Sequence, residues 1–198
     1  MMSRRTRGVA AALLVLVSAA AWRPYADPLK LGAESKLWFD GKSTVRDWSC
    51  KATQIDAVID AEPSAPANVL KGQKAVKTAT LTFPTAKLDC NNGTMNGHMM
   101  KALNGTKHAS IVFTLSGYEL SAATAVKGTL NGTLLINGVT KPISFPAEFK
   151  PAAGGALQVT GKYDLTMTDW QVEPPKLMMG TLKVNPVVVV NFDLLLKN

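Results

Sequence analysis

The chain has 198 residues, which is enough for one domain of moderate size plus a targeting segment and too few for two ordinary domains with a linker. Apolar residues make up 46% of the chain and charged residues 18%, and this balance excludes intrinsic disorder. The formal net charge is +8, but Lys and Arg are scattered singly and no segment interleaves them with aromatic residues. This distribution is typical of a solvating surface and predicts no nucleic-acid partner.

The beginning of the chain has the three parts of a secretory signal peptide. Arg4, Arg5 and Arg7 form a basic start, residues 9–17 are uninterrupted apolar sequence, and small residues follow at cleavage distance. A transmembrane anchor is the alternative, but it needs about 20 apolar residues, and this run is shorter. The sequence therefore predicts a cleaved signal peptide.

The domain organisation follows from this assignment. We predict a signal peptide over residues 1–21, an N-terminal extension over residues 22–35 and one folded domain over residues 36–198. After cleavage we expect no integral membrane segment, because the rest of the chain has no comparable apolar stretch. The predicted location is periplasmic or secreted.

Cys50 and Cys90 are the only cysteines. Because an exported protein reaches an oxidising compartment, where an even pair usually bonds, we predict a disulfide between them. A metal site would have to add His98 and His108, but the sequence has neither a Cys-x-x-Cys nor a His-x-x-x-His spacing. We therefore predict no metal site and no cofactor.

From Leu37 onward, apolar residues recur at every second position, which is the signature of strands with one dry face. The pattern predicts eight strands, near residues 37–48, 50–60, 75–83, 109–119, 125–137, 139–150, 157–167 and 186–197. Asn137-Gly138 joins two of these runs and favours a two-residue type I′ turn, since both positions need positive φ. Short links favour antiparallel neighbours, so we predict a mainly β fold, an eight-stranded antiparallel barrel or strongly curved half-barrel.

One segment departs from the alternation. Met95, Met99 and Leu103 recur at four-residue spacing, with Thr94 able to cap the start and Gly105 able to end the stretch. This spacing predicts a short helix. Its methionines either cover one mouth of the barrel or pack on the core, and the sequence does not separate these alternatives.

The sequence predicts a protein that is not an enzyme. The chain has no Gly-x-Ser-x-Gly elbow, no His-Glu-x-x-His helix and no phosphate loop. We name no catalytic residues. A hydrolase, or a haem site that uses His98 with a methionine, remains a third alternative.

The inward face is the candidate functional feature, because an eight-stranded barrel is at the size where side chains fill the interior or leave room for one ligand. Gly132 and Gly161 lie on the dry face, where they either free volume for an apolar guest or mark bends in the sheet. The candidate ligand-binding residues are dry-face side chains: Phe83, Phe113, Leu115, Leu134, Ile136, Phe145, Tyr163, Leu165, Phe192 and Leu194.

An ordered set of motifs resembles the YceI-like family of bacterial periplasmic proteins. The motifs are Gly41-x-Ser43, Leu81-Thr82-Phe83-Pro84, the helix from Met95 to Leu103, Ile111-Val112-Phe113, Gly128-Thr129-Leu130, Ile136-Asn137-Gly138-Val139-Thr140-Lys141 and Met167-Thr168-Asp169-Trp170. The resemblance extends over residues 36–197. Where many members have Arg-x-Asp-Phe-Gly, this chain reads Met-Thr-Asp-Trp-Gln at residues 167–171.

The resemblance implies a lipocalin-like barrel whose apolar tunnel holds a long isoprenoid, such as a polyprenyl chain or a quinone tail. We therefore predict non-catalytic binding, transport or storage of such a lipid in the bacterial periplasm by a YceI-like lipid-binding barrel domain. The alternative is a structural or interaction module of the cell envelope in which the same side chains fill the barrel and no lipid binds. Whether the chain forms a homodimer is left open.

Overall fold

The structure, a computed structural model, describes residues 29–122 and 125–198. The predicted signal peptide and residues 22–28 of the predicted extension lie outside the described residues. None of the described helices is long and apolar enough to span a membrane. The strands are β1 Lys30–Leu31, β2 Lys36–Ser43, β3 Asp47–Ala52, β4 Asp56–Ala61, β5 Val76–Pro84, β6 Leu88–Asp89, β7 Ser110–Ala122, β8 Val126–Ile136, β9 Val139–Pro151, β10 Leu157–Thr166, β11 Lys176–Leu177 and β12 Leu182–Lys197.

The strands form one antiparallel sheet that curls into a half-barrel. Its strand order is β4-β5-β7-β8-β9-β10-β12-β2-β3-β6, and β1 and β11 pair with β12 outside this path. Every strand pair in the described sheet is antiparallel. The predicted mainly β, antiparallel, lipocalin-like class is confirmed. β1 falls inside the segment that was predicted to be an extension.

The predicted number of eight strands is wrong, because the described chain has twelve strands and three of them are only two residues long. The first predicted strand is interrupted after Ser43, whose hydroxyl donates to the Arg46 carbonyl at 2.8 Å and accepts from the Arg46 amide at 3.1 Å. The second is divided between β3 and β4, which lie near opposite ends of the strand order. Alternation continues through both turns, so it does not reveal them.

The predicted hairpin between β8 and β9 is confirmed. Ile136 pairs with Val139, and the two residues between them, Asn137 and Gly138, have φ angles of 50° and 77°. These positive values are those that a type I′ turn requires. The Asn137 side chain also donates to the carbonyl of Trp170 at 3.2 Å. The hairpin is thereby held against the 3₁₀ turn Met167–Trp170.

The predicted short helix is α2, Gly93–Ala102. Its cap is Asn92, whose side chain accepts a hydrogen bond from the Met95 amide at 3.0 Å, and not Thr94 as predicted. A second helix, α1 Ala65–Val69, has a proline in its first turn and was not predicted. Further 3₁₀ turns lie at Thr85–Lys87, Ala153–Gly155 and Met178–Gly180.

The two helices lie at opposite ends of the sheet. α1 connects the end of β4 to the start of β5, whereas α2 lies between β6 and the start of β7. Because β5 and β7 are antiparallel, the end of β5 and the start of β7 share the α2 end. The α1 end is densely packed: Ala65 and Val69 are fully buried.

Candidate ligand-binding cavity

A cavity of about 260 Å³ lies at the α2 end of the half-barrel. One part of its wall comes from α2 and the residue after it: Met95, His98, Met99, Ala102 and Leu103. Most of the remainder comes from inward side chains of the strands, including Leu37, Phe39, Trp48, Phe83, Ile111, Leu134, Ile136, Leu165, Val188 and Val190. Ser43, Arg46 and His98 are the few polar members of the lining. The cavity can therefore accept an apolar guest, and its polar groups are confined to a small part of the wall.

Helix α2 covers the cavity. Met95 and Met99 both line it and are half-buried, and none of the helix residues is fully buried. Of the two alternatives left open by the sequence, the structure places the methionines over the cavity. Methionine suits such a position, because its flexible thioether adapts to irregular guests.

The predicted disulfide between Cys50 and Cys90 is confirmed, and both cysteines line the cavity. The bond joins β3 to the loop that leads into α2. Just before this loop, at the end of β6, the Asp89 carboxylate accepts hydrogen bonds from the Asn96 side chain at 2.9 Å and the Asn91 amide at 3.0 Å. These bonds, the Asn96 side chain first, lower the pKa of Asp89. The segment leading into α2 is therefore tied to the sheet covalently, and α2 is held to the end of β6 by a hydrogen bond.

Charged groups are sparse around the cavity. Arg46 is exposed, and its guanidinium donates to the Met95 sulfur at 3.7 Å. Among residues 29–122 and 125–198, no three His, Cys, Asp or Glu side chains come together as metal ligands.

Two tryptophans in the wall differ in how their indole N–H groups are satisfied. Trp170 is buried and donates to the Leu134 carbonyl at 3.0 Å, and Lys141 Nζ lies 6.0 Å from the centroid of its ring. The N–H of Trp48 is buried and has no hydrogen-bond partner within the described chain. An unpaired buried donor is costly, so the indole N–H of Trp48 destabilises the fold relative to a paired one.

The structure divides the ten candidate ligand-binding residues into two groups. Four of them line the cavity: Phe83, Leu134, Ile136 and Leu165. The other six lie in the interior outside this lining: Phe113, Leu115, Phe145, Tyr163, Phe192 and Leu194. Nine of them belong to one buried hydrophobic core, against which Tyr163 packs, but only the first group lines this cavity.

The second group is built around a cluster of aromatic rings. The centroid of the Phe145 ring lies 5.5 Å from those of Phe113 and Phe192 and 5.9 Å from that of Tyr163. Such spacings and tilted orientations are favourable for aromatic pairs. Burial, followed by the charge of Asp169, raises the pKa of the Tyr163 phenol. This part of the interior is filled.

The alternatives for Gly132 and Gly161 are resolved by the same rings. A Cβ atom on Gly132 would lie 2.6 Å from the Phe113 ring, and one on Gly161 would lie 3.0 Å from a Phe192 ring atom. Both contacts are too close for a side chain, so each glycine makes room for an aromatic ring of its own chain. Neither glycine opens space for a guest.

Several wall residues were not among the sequence candidates. Val188 and Val190 showed the alternation of a dry face, but that signal gives no depth along the barrel. Trp48 lies in β3, whereas the sequence placed it at the end of the first predicted strand, because alternation did not reveal the turn after Ser43. For α2 the signal was present in the spacing of its methionines.

Comparison with solved structures supports the architecture. BcnA of Burkholderia cenocepacia superposes with a TM-score of 0.67 at 18% identity, covering 84% of this chain and 99% of that one. A polyisoprenoid-binding domain of Saccharophagus degradans gives 0.63 at 14% identity, covering 85% and 97%. The YceI protein of Campylobacter jejuni gives 0.57 at 20% identity, covering 75% and 84%. No curated protein sequence matches the chain.

The family is shown by sequence. The model of the YceI-like domain matches residues 31–196, which include the half-barrel, the cavity wall and α2. This range agrees with the resemblance seen in the ordered motifs. The chain belongs to the YceI-like family.

Proposed function

We propose that the protein binds the apolar tail of an isoprenoid lipid in the cavity under α2 and carries or stores it without chemical change. The observation that supports this function is the cavity itself, a partly open space whose wall consists mainly of aliphatic, aromatic and thioether side chains. Covering such an apolar wall with an apolar guest is favourable, because it removes apolar surface from water.

Burial of the tail supplies the affinity. Each Å² of apolar surface removed from water contributes about 25 cal/mol, so a tail that buries a few hundred Å² gains several kcal/mol before its entropy losses. This gain requires no ion pair. It agrees with the wall formed by the described residues, in which Arg46 and His98 are the only ionisable side chains.

The isoprenoid class is supported by the likeness in fold to a polyisoprenoid-binding domain. The Saccharophagus degradans domain, which shares the fold, is described as polyisoprenoid-binding, and this chain belongs to the YceI-like family. Branched isoprenoid tails also suit a wall of methionine, leucine and valine, which offers an uneven apolar surface.

We further propose that the protein acts in the periplasm or outside the cell. The basic and apolar start of the sequence predicts export, and the Cys50–Cys90 bond suits an oxidising compartment. The alternative, a structural module without lipid, draws on the filled aromatic part of the interior. That alternative leaves the space under α2 without a role.

Organic extraction of the purified, exported protein followed by mass spectrometry tests this function. We expect an isoprenoid in stoichiometric amount. The variant Ala102→Phe, which places a ring in the cavity wall, should lose the lipid, whereas Ala67→Phe on an exposed position of α1 should retain it. Empty extracts from the unaltered protein, also after incubation with prenols, would support the structural module instead.

A charge in the wall gives a second test. Leu134→Asp places a carboxylate at a buried lining position and should abolish lipid retention, because an unpaired charge in an apolar site is very unfavourable. Val58→Asp, on an exposed position of β4, is the matched control. Retention of the same lipid by a folded Leu134→Asp variant would refute the cavity assignment.

A further inference from the structure

We infer that the cavity admits only the end of an apolar chain, about two isoprene units, and that the aromatic cluster below it stops the chain from going further. This inference rests on the proposed function and adds a length limit to it. The limit comes from the volume of the cavity and from the side chains that form its floor.

The volume gives the first estimate. A cavity of about 260 Å³ has room for about nine groups the size of a water molecule, each of which takes roughly 30 Å³. A methylene group is of similar size. Nine such groups amount to about two five-carbon isoprene units, far fewer than a polyprenyl chain or a long quinone tail contains.

The strands show where the cavity ends. On β7, Ile111 lines the cavity, but Phe113, the next residue on the same face, does not. On β12, Val190 lines it, but Phe192 does not. On both strands the aliphatic lining is therefore followed, one step deeper, by a buried phenylalanine.

These two phenylalanines are joined into a continuous floor. Phe145 lies between them, with its ring centroid 5.5 Å from each. Gly132 leaves the space that the Phe113 ring fills, and Gly161 does the same for Phe192. The rings are packed against backbone, so a longer chain could not pass without displacing them from well-filled positions.

The limit makes a distinct prediction about affinity. Each methylene that enters the cavity should tighten binding about fourfold, as expected from about 0.8 kcal/mol per buried methylene. Once the cavity is full, further carbons remain outside the wall and add little. Affinity should therefore rise with chain length and then reach a plateau.

Calorimetric titration with linear primary alkanols of increasing length tests this prediction, below the concentration at which each forms aggregates. We expect Kd to fall up to about nine or ten carbons and then to stay within about twofold. The prenols geraniol and geranylgeraniol, with two and four isoprene units, should bind with similar Kd. A steady fall of Kd through the longest alkanols, or much tighter binding of geranylgeraniol, would overturn the length limit and leave the proposed function intact.

Variants of the floor sharpen the test. Phe113→Ala should move the plateau to longer alkanols, and Phe113→Leu is the milder replacement if the alanine variant does not fold. Phe149→Ala removes a buried ring that is absent from the cavity wall, and it should leave the plateau in place. If the plateau lies at the same chain length in the folded Phe113 variants as in the unaltered protein, this floor is refuted. If no alkanol or prenol binds the unaltered protein, the proposed function itself is overturned.

Discussion

The two ends of the half-barrel use the same alternation of apolar and polar residues but reach different results. At the α2 end the inward side chains include Leu134, Val188 and Val190, and they surround a cavity. Deeper in the sheet they include Phe113 and Phe192, and the interior is filled. The comparison teaches that alternation decides which residues face inward, whereas side-chain size at each level decides whether the inside is hollow.

The two ends also differ in how they are closed. At the α1 end, the buried Tyr118 hydroxyl accepts hydrogen bonds from the Ala75 and Val76 amides, at 2.8 and 2.9 Å. At the α2 end, the cover is a helix without a fully buried residue, tied down by the Cys50–Cys90 bond. The first closure is a packed core, and the second is a tethered lid over an apolar space.

The largest expected difference in stability comes from removing one ring from the aromatic cluster and, in a second variant, one ring from the cavity wall. Phe113→Ala should lower the free energy of unfolding by about 3–5 kcal/mol, because the ring is buried and its loss leaves a cavity. Phe39→Ala should cost only about 1–2 kcal/mol, since that half-buried side chain already borders empty space. Urea denaturation measures both. Equal losses in the free energy of unfolding would contradict the distinction between a filled aromatic cluster and a wall that borders a cavity.

Removal of the tether should have the next largest effect. The double variant Cys50→Ser, Cys90→Ser should lose about 2–4 kcal/mol, because the unfolded chain is no longer constrained by the loop between the cysteines. Its affinity for decanol should also fall, as the lid loses its covalent tie to β3. The reduced, unaltered protein is the control and should behave alike. Unchanged stability and affinity in both would show that the bond is not what holds the lid.

A smaller difference in stability is expected between variants of two buried polar side chains, one at each end of the half-barrel. Tyr118→Phe leaves two amide donors without their acceptor and should cost about 1–3 kcal/mol. Trp48→Phe removes a donor that has no partner in the described structure, so it should leave stability unchanged or slightly higher. Thermal unfolding of the ligand-free proteins makes the comparison. A loss for Trp48→Phe as large as that for Tyr118→Phe would mean that the indole N–H is satisfied in solution.

The smallest effect concerns pH and the anchor of α2. The pKa of Asp89 is lowered in the folded protein, so its carboxylate stabilises the fold above its ordinary value of 3.8, and this contribution is lost as the pH falls through the lowered pKa. Asp89→Asn removes the charge at every pH. The difference in urea midpoint between the two proteins should be constant above about pH 5 and shrink below it. A difference independent of pH down to pH 2 would exclude this anchor.

The fold was largely predictable from the sequence, and the reasons are local. Alternation identified most of the strands, and Asn137-Gly138 identified its hairpin because that turn needs positive φ at both positions. The Ser43 turn and the division of residues 50–60 were missed, since both depend on hydrogen bonds and strand order that alternation does not encode. Two-residue strands such as β6 are too short to show any period.

The site was only partly predictable. Alternation predicted that the side chains of Leu134 and Phe113 both face inward, yet of the two only Leu134 lines the cavity. The depth of a residue depends on register across several strands, and the fate of Gly132 depends on the rotamer of a neighbouring ring. Neither quantity is a property of the local sequence.

The measurement that tests the account most directly is a crystal structure with 10-bromodecanol, whose bromine marks the end of the apolar chain by anomalous scattering. We predict a single strong peak inside the cavity, between the Leu134 side chain and the Phe113 ring, with the hydroxyl toward the Arg46 side. A bromine beyond the aromatic cluster beside Tyr118, or only on the outer face of the sheet, would contradict the account.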